Sequence, residues 1–243
     1  MHDRTIVSEF TRQAESFNTA AVANAQETLA GLVRFAAPSR DERWLEAACG
    51  PGLIARALAP LTGSVVGVDA TPAMVELARR EAAGLANAEF ALGDAGALEY
   101  GDAEFDGAVT RFSLHHIPVP SRVVAELARV VRPGGKVVIA DHMVDDDVDA
   151  AAWETEVERL RDPSHWAALP LRRLRALGER AGLTLEEERI VPLALDYEDW
   201  LARGGGPRSL VEAALAERPG GAECLRVADG VLHLRMWMAR WRR

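Results

Sequence analysis

Apolar side chains along the chain follow two alternating rhythms. In Ala21, Ala25, Leu29, Leu32 and Val33 they recur at helical spacing, and residues 5 to 36 hold no proline and no glycine before Gly31, which predicts two helices. After a polar break at Pro38–Glu42, Trp44-Leu-Glu-Ala-Ala-Cys49 reads as a short strand ending at Gly50-Pro-Gly52. Leu53 to Leu58 return to helical spacing, and the β-branched run Ser64–Val68 predicts a second strand ending at Asp69. Thr71-Pro72 is a helix start with a hydroxyl N-cap, and the helix runs to about Ala83. Strands follow at Ala88–Leu92 and Phe105–Thr110, then a helix capped by Ser121 and running to Val131. Arg132-Pro-Gly-Gly135 turns into a fifth strand, Lys136–Ala140.

This order, βαβαβ, a longer connection, then βαβ, predicts a parallel sheet covered by helices on both faces. Beyond it the pattern loosens. Asp145–Asp149 reads as an acidic loop, Trp153–Arg161 and Leu171–Ala181 as helices, and a strand begins at Leu183. A glycine break at Gly204–Gly206 precedes a helix near Ser209–Ala216, and Val231–Trp241 reads as a last buried strand. With no repeat and no long linker, residues 1–243 read as one domain.

Composition narrows the picture. The 243 residues are 49% hydrophobic and 27% charged, as in globular chains, and are enough to bury a core without disulfides. The longest apolar runs fall far short of the ~20 residues of a membrane helix. The opening segment has no basic region followed by an apolar one, so a cytoplasmic protein is expected. Cys49 and Cys224 are the two cysteines, too few for a disulfide framework or a cysteine metal centre. A net charge of −9 argues against a nucleic-acid partner. Lys136 is the single lysine, so lysine chemistry would rest on it alone.

The strongest chemical signal runs from Glu46 to Asp69. Glycines at a strand-to-helix turn let backbone N–H groups approach a ligand closely, and a carboxylate at the tip of the next strand suits ribose hydroxyls. Gly50-Pro-Gly52-Leu-Ile-Ala55 also satisfies the dinucleotide pattern G-x-G-x-x-G/A. A tight turn needing glycine for its backbone angles is the plainer alternative.

Taken in order, W-L-E-A-A-C-G-P-G, V-V-G-V-D-A-T-P-A-M, G-D-A, F-D-G-A-V-T-R-F-S-L-H-H-I-P-V-P and R-V-V-R-P-G-G-K-V-V-I-A-D resemble the class I S-adenosylmethionine-dependent methyltransferases. The resemblance is strongest to the ubiquinone/menaquinone C-methyltransferase-like branch and covers roughly residues 8 to 142. It implies a Rossmann-like, doubly wound, seven-stranded, mostly parallel α/β sheet with an antiparallel last strand, to which Val231–Trp241 would correspond. N-terminal lid helices (1–38) and an inserted helical cap (143–182) would roof the substrate. The implied cofactor is S-adenosylmethionine. Glu46 would meet its methionine end, Ala48, Gly50 and Gly52 would line the loop beneath it, and Asp69, followed by Ala70, would hold the ribose. Met74 would pack on the adenine, Asp94 with Ala95 would meet its amino group, and Thr110 and Arg111 would approach the methionine moiety. The family usually has glycine where this chain has Ala48. Asp94 also suits a turn cap, Met74 a core position and Arg111 a surface ion pair.

Methyl transfer requires positioning, plus a base where the acceptor carries a proton. His115, His116 and His142, at carboxyl ends of expected strands, are the candidate bases; His2, His165 and His233 read as surface or core. Asp145-Asp-Asp147 and Asp149 read as a solvated loop, so no metal ligand is expected. Phe10, Phe17, Trp153, Trp166 and Trp200 are large side chains in the expected roof and suit an apolar or aromatic small-molecule acceptor. A quinone-like or secondary metabolite, methylated on O or C, fits this reading, in a monomer or homodimer without a membrane span. Two alternatives stay open: a methyltransferase fold turned to cyclisation or a pericyclic step, and an NAD(P)-dependent reductase. The latter lacks a Tyr-x-x-x-Lys around Lys136.

Overall fold

The computed structural model describes residues 2–19 and 22–243, with side-chain surroundings for 2–14 and 28–243. Ala21 and the side chains of Phe17 and Ala25 therefore lie outside the described residues. The first half alternates as expected: α1 (His2–Thr19), α2 (Val22–Ala36), β1 (Arg43–Ala47), α3 (Leu53–Leu58), β2 (Ser64–Asp69), α4 (Pro72–Glu81), β3 (Ala88–Leu92), β4 (Phe105–Arg111), α5 (Pro120–Val130) and β5 (Val131–Val144). The second half holds α6 (Val148–Arg161), β6 (Leu169–Pro170), α7 (Leu171–Arg180), β7 (Thr184–Asp196), α8 (Tyr197–Arg203), α9 (Arg208–Ala216), β8 (Leu225–Ala228) and β9 (Val231–Arg242).

The main path of the sheet is β3-β2-β1-β4-β5-β9-β7, with short β6 on β5 and β8 on β9. β1 to β5 are parallel, and β9 runs antiparallel between β5 and β7. The direction of winding reverses between β1 and β4, which opens a crevice at their carboxyl ends.

Successive residues of each strand face opposite layers. Leu45, Val137 and Ile139 pack with Val123 and Leu127 of α5 and Leu174 of α7 on one face. Trp44, Val109 and Val138 pack with Leu32 and Phe35 of α2 and Ile54 of α3 on the other. Burial on both faces is why these strands read as nearly continuous Val/Ile/Leu runs. Phe90 of β3 lies in front of two glycines: a Cβ on Gly52 would come within 2.4 Å of its ring and one on Gly67 within 2.6 Å.

Several local expectations change. Ser121 does not cap α5: Val119 is the N-cap and Pro120 starts the first turn, its fixed φ suiting that position. Thr71 is the N-cap of α4, but its hydroxyl makes no capping bond; its backbone N–H donates to Asp69 instead. In the expected acidic loop, Asp147 caps α6, accepting from the N–H groups of Asp149 and Ala150. Two pieces of the expected roof are sheet layers: the second half of α2 and the Leu174 face of α7 are buried in the two cores. α8, β6 and β8 have no counterpart in the periodicity reading. No helix among the described residues is long and apolar enough to cross a membrane.

Candidate active site

The loop after β1 is built from backbone. Ala48, Gly50 and Gly52 have φ of 53, 51 and 72°, a left-handed alternation that glycine adopts freely and alanine does not. That geometry explains why glycine suits position 48. Asp69 pins the loop from the tip of β2: Oδ2 accepts from the N–H of Gly50 at 2.7 Å and Oδ1 from that of Thr71 at 2.8 Å. Behind the loop, Glu46 Oε2 accepts from the N–H of Ala55 at 2.7 Å, which sets the carboxyl at the first turn of α3. Burial pushes the Glu46 carboxyl up to about 8, and Arg111 pulls against that rise. Burial also lowers Arg111 to about 10, against the attraction of Glu46 and Asp141, and its Nε has no hydrogen-bond partner among the described residues.

Two cavities open at the crevice. One of about 140 Å³ is lined by Glu46, Ala48, Gly50, Met74 and Arg111, among others. The other, about 240 Å³, is walled by Leu193, Leu195, Trp200, Leu234, His115 and His142. Phe10, Leu53, Arg111, Phe112 and His116 line both and form their shared wall. Phe112 reaches that wall through a left-handed backbone, φ 50°. α1 lies against it: Ala14 packs with Met74 and Leu77, the Phe10 ring meets His116 edge-on at 4.9 Å, and a His2 ring nitrogen lies 2.9 Å from the His116 carbonyl.

Next to this wall four histidines gather. His115 and His116 sit on the turn after β4, and His142 follows Asp141 near the end of β5. Parallel pairing, with Arg111 opposite Ala140, sets these two segments side by side. His165 arrives from the loop after α6, which is fastened by the N–H groups of Trp166 and Ala167 to the His115 carbonyl at 2.8 and 3.0 Å. The His115 ring stacks at 4.0 Å on His142 and 5.4 Å on His165, and lies 4.1 Å from His116.

Hydrogen bonds indicate the tautomers. His115 Nδ1 is 2.6 Å from Asp141 Oδ1, and that carboxylate also accepts from the N–H groups of Leu114 and His142. His116 Nδ1 lies 3.1 Å from both the carbonyl and the Oγ of Ser164. The Ser164 hydroxyl donates to Asp162 Oδ1 at 2.6 Å, so both neighbours of His116 Nδ1 act as acceptors. His116 therefore carries its proton on Nδ1 and keeps a lone pair on Nε2. Burial holds His115, His116 and His165 below their usual value, hence neutral at pH 7.

Of the residues singled out from the sequence, Glu46, Ala48, Gly50, Met74 and Arg111 meet at the smaller cavity, and His115, His116 and His142 at the larger. Gly52 turns the loop into α3. Ala70 is exposed beyond β2; exposed Asp94 accepts from Gly96 N–H at 2.7 Å, and Ala95 is buried in the core. Thr110 is fully buried and donates to the Ala47 carbonyl at 2.9 Å, so it braces β4 against β1 and lines neither cavity. Among the roof aromatics, Phe10 and Trp200 line the larger cavity. The Trp153 indole donates to the Ala214 carbonyl in the cluster behind Trp200 and lines no part of that cavity, and Trp166 stays exposed beside His2. Sequence reasoning passed over Phe112 and the place of His165 in the cluster. Phe112 stood inside the quoted motif, and Asp162-Pro-Ser was a turn signal just before His165.

Residues 45–139 match the family described as methyltransferase domain. A protein described as the uncharacterized methyltransferase YcgJ of Bacillus subtilis is 31% identical over 200 residues, covering 82% of this chain and 79% of its own. This chain belongs to the class I S-adenosylmethionine-dependent methyltransferases. The crystal structure of YcgJ superposes with a TM-score of 0.82 at 26% identity, over 90% of this chain and 98% of the other. The demethylmenaquinone methyltransferase of Clavibacter sepedonicus is 37% identical over 120 residues, 49% of either chain. Membership sets aside the reductase alternative and makes S-adenosylmethionine the methyl donor. The site suits that donor: among the described residues the buried Glu46 carboxyl makes no direct ion pair, and the Arg111 Nε has no hydrogen-bond partner and is left for a carboxylate.

Proposed function

We propose that the protein methylates an oxygen or carbon of a small apolar or aromatic acceptor, of quinone-like or secondary-metabolite type, held in the larger cavity. The observation that carries this reading is the shared wall, which places an apolar chamber directly beside the cofactor loop. Phe10, Phe112 and Trp200 offer flat apolar contact and Leu193 and Leu195 close-packed aliphatic contact, as such acceptors require. Bound S-adenosylmethionine supplies an electrophilic methyl on a sulfonium. Glu46 takes the amino end of the donor and Arg111 its carboxylate. Asp69 accepts the ribose hydroxyls with the lone pairs that Gly50 and Thr71 leave free. Met74 packs beside the adenine, and Asp94 with Ala95 receives its amino edge.

The acceptor is held in line with the donor by the shared wall, which is the main catalytic task. His116, whose ring lines both cavities, takes the acceptor's proton on Nε2, and Ser164 and Asp162 steady the resulting imidazolium through Nδ1. α1, the 162–168 loop and α8 cover the acceptor. The test is transfer of labelled methyl from S-adenosylmethionine to a panel of phenols, quinols and enolisable aromatics. Labelled product from an apolar aromatic supports the reading. Tight binding of S-adenosylhomocysteine with no labelled product across the panel overturns it.

A further inference from the structure

The histidine cluster holds more imidazoles than proton transfer needs. His115, His142 and His165 each offer a ring nitrogen, and these nitrogens all lie within 4.8 Å of one another. His165 is 3% exposed, and the Nε2 atoms of His142 and His165 are buried with no hydrogen-bond partner among the described residues. An unpartnered buried acceptor or donor is costly, and here two stand side by side. His115 is prepared differently. Its Nδ1 is bound to Asp141, and the carboxylate is itself fixed by the backbone N–H groups of Leu114, His115 and His142, so Nε2 remains for a ligand.

We propose that His115, His142 and His165 bind one borderline divalent transition-metal ion such as zinc, with an open position facing the acceptor cavity. Three imidazoles suit zinc, iron, nickel or copper and not magnesium or calcium, which take oxygen ligands. A carboxylate on the far nitrogen of a ligand histidine, as Asp141 provides, orients the ring and raises its basicity. Metal–nitrogen bonds of about 2.0–2.1 Å place tetrahedral ligand nitrogens about 3.4 Å apart, so the rings need close by on the order of 1 Å. His142 and His165 can make that movement, because no hydrogen bond from the described residues holds their Nε2 atoms. His115 and His142 line the larger cavity, so the ion's open position meets the acceptor there. An acceptor hydroxyl or enol bound to it would lose its proton more readily, to His116 beside it. That role rests on the acceptor reading above; binding of the ion does not.

The experiment is calorimetric titration of chelator-treated, tag-free full-length protein with zinc(II), and in parallel with cobalt(II), whose visible spectrum reports the ligand field. One ion per chain is expected, with a cobalt absorption band characteristic of a low-coordinate nitrogen site. His165→Gln and His142→Gln should each weaken binding at least about 100-fold, and Asp141→Asn by about 10- to 100-fold. S-adenosylhomocysteine binding, measured on the same samples, shows that each variant is folded. Absence of saturable uptake by wild-type protein that binds S-adenosylhomocysteine overturns the metal site and leaves the methyltransferase reading standing. Equal uptake by the folded His165→Gln and His142→Gln proteins overturns it as well.

Discussion

The two halves of the crevice are built by opposite means. The cofactor half is local: Glu46, the 48–52 loop and Asp69 span one βαβ unit, and their contacts run through backbone N–H groups. The histidine half is assembled from distant pieces, with His116 reaching Ser164 across 48 residues and His115 reaching Asp141 across 26. The lesson is that binding chemistry drawn from backbone geometry tolerates little change of shape, whereas chemistry drawn from side chains tolerates reshaping and sets the specificity.

Substitutions can break or sharpen this contrast. The largest effect is expected on the histidine side. His116→Gln should lower kcat roughly 100- to 10,000-fold with cofactor affinity nearly unchanged, measured by labelled methyl transfer beside calorimetry. Because burial holds His116 below its usual 6.5, the neutral base persists at pH 7. At saturating S-adenosylmethionine, the acid limb of kcat should therefore fall below pH 6.5. On the cofactor side, Asp69→Ala should weaken S-adenosylhomocysteine binding about 100-fold, as two charge-assisted hydrogen bonds are lost. The same titration of His115→Gln should change far less, and the reverse order would contradict the division of roles. Gly52→Ala acts on folding, through a left-handed backbone and contact with Phe90, and should lower stability by about 2–4 kcal/mol in denaturant unfolding.

Two smaller effects probe the loop. Glu46 sits at about 8, so its carboxyl is protonated in the free protein at pH 7. Arrival of a cationic donor favours the carboxylate, so binding should release up to one proton. Calorimetry in buffers of different ionisation enthalpy would count it, and Glu46→Gln should abolish it. Ala48→Gly relieves a positive φ but loosens the unfolded chain, so a net gain of no more than about 1 kcal/mol is expected in thermal unfolding.

The same contrast decides what could be read from the sequence. The parallel strands and the loop were legible, because β-branched runs and glycine turns repeat at fixed spacing. Lys136, the single lysine, donates to Ala37 O at 2.6 Å and pairs with Glu42, a structural bond that its place in the Pro-Gly-Gly turn motif does not spell out. The roof was harder. Leu32 and Leu174 have the same helical spacing whether they face a sheet or a lid, so α2 and α7 could not be told from covering helices. Phe112 was hidden by its backbone angle, a property with no composition. His165 was hidden by distance: no local pattern says that the chain after α6 returns to the turn after β4. Ser121 and Thr71 were misjudged as hydroxyl caps because Pro120 and Asp69, next to them, offered better partners.

Phe90, Gly52 and Gly67 occupy one shared volume, with the ring filling the space two side chains would need. For protein engineering, these three positions form a single design variable. A library that diversifies the cofactor loop alone will return mainly glycine at position 52. One that shrinks residue 90 at the same time opens new shapes to the loop.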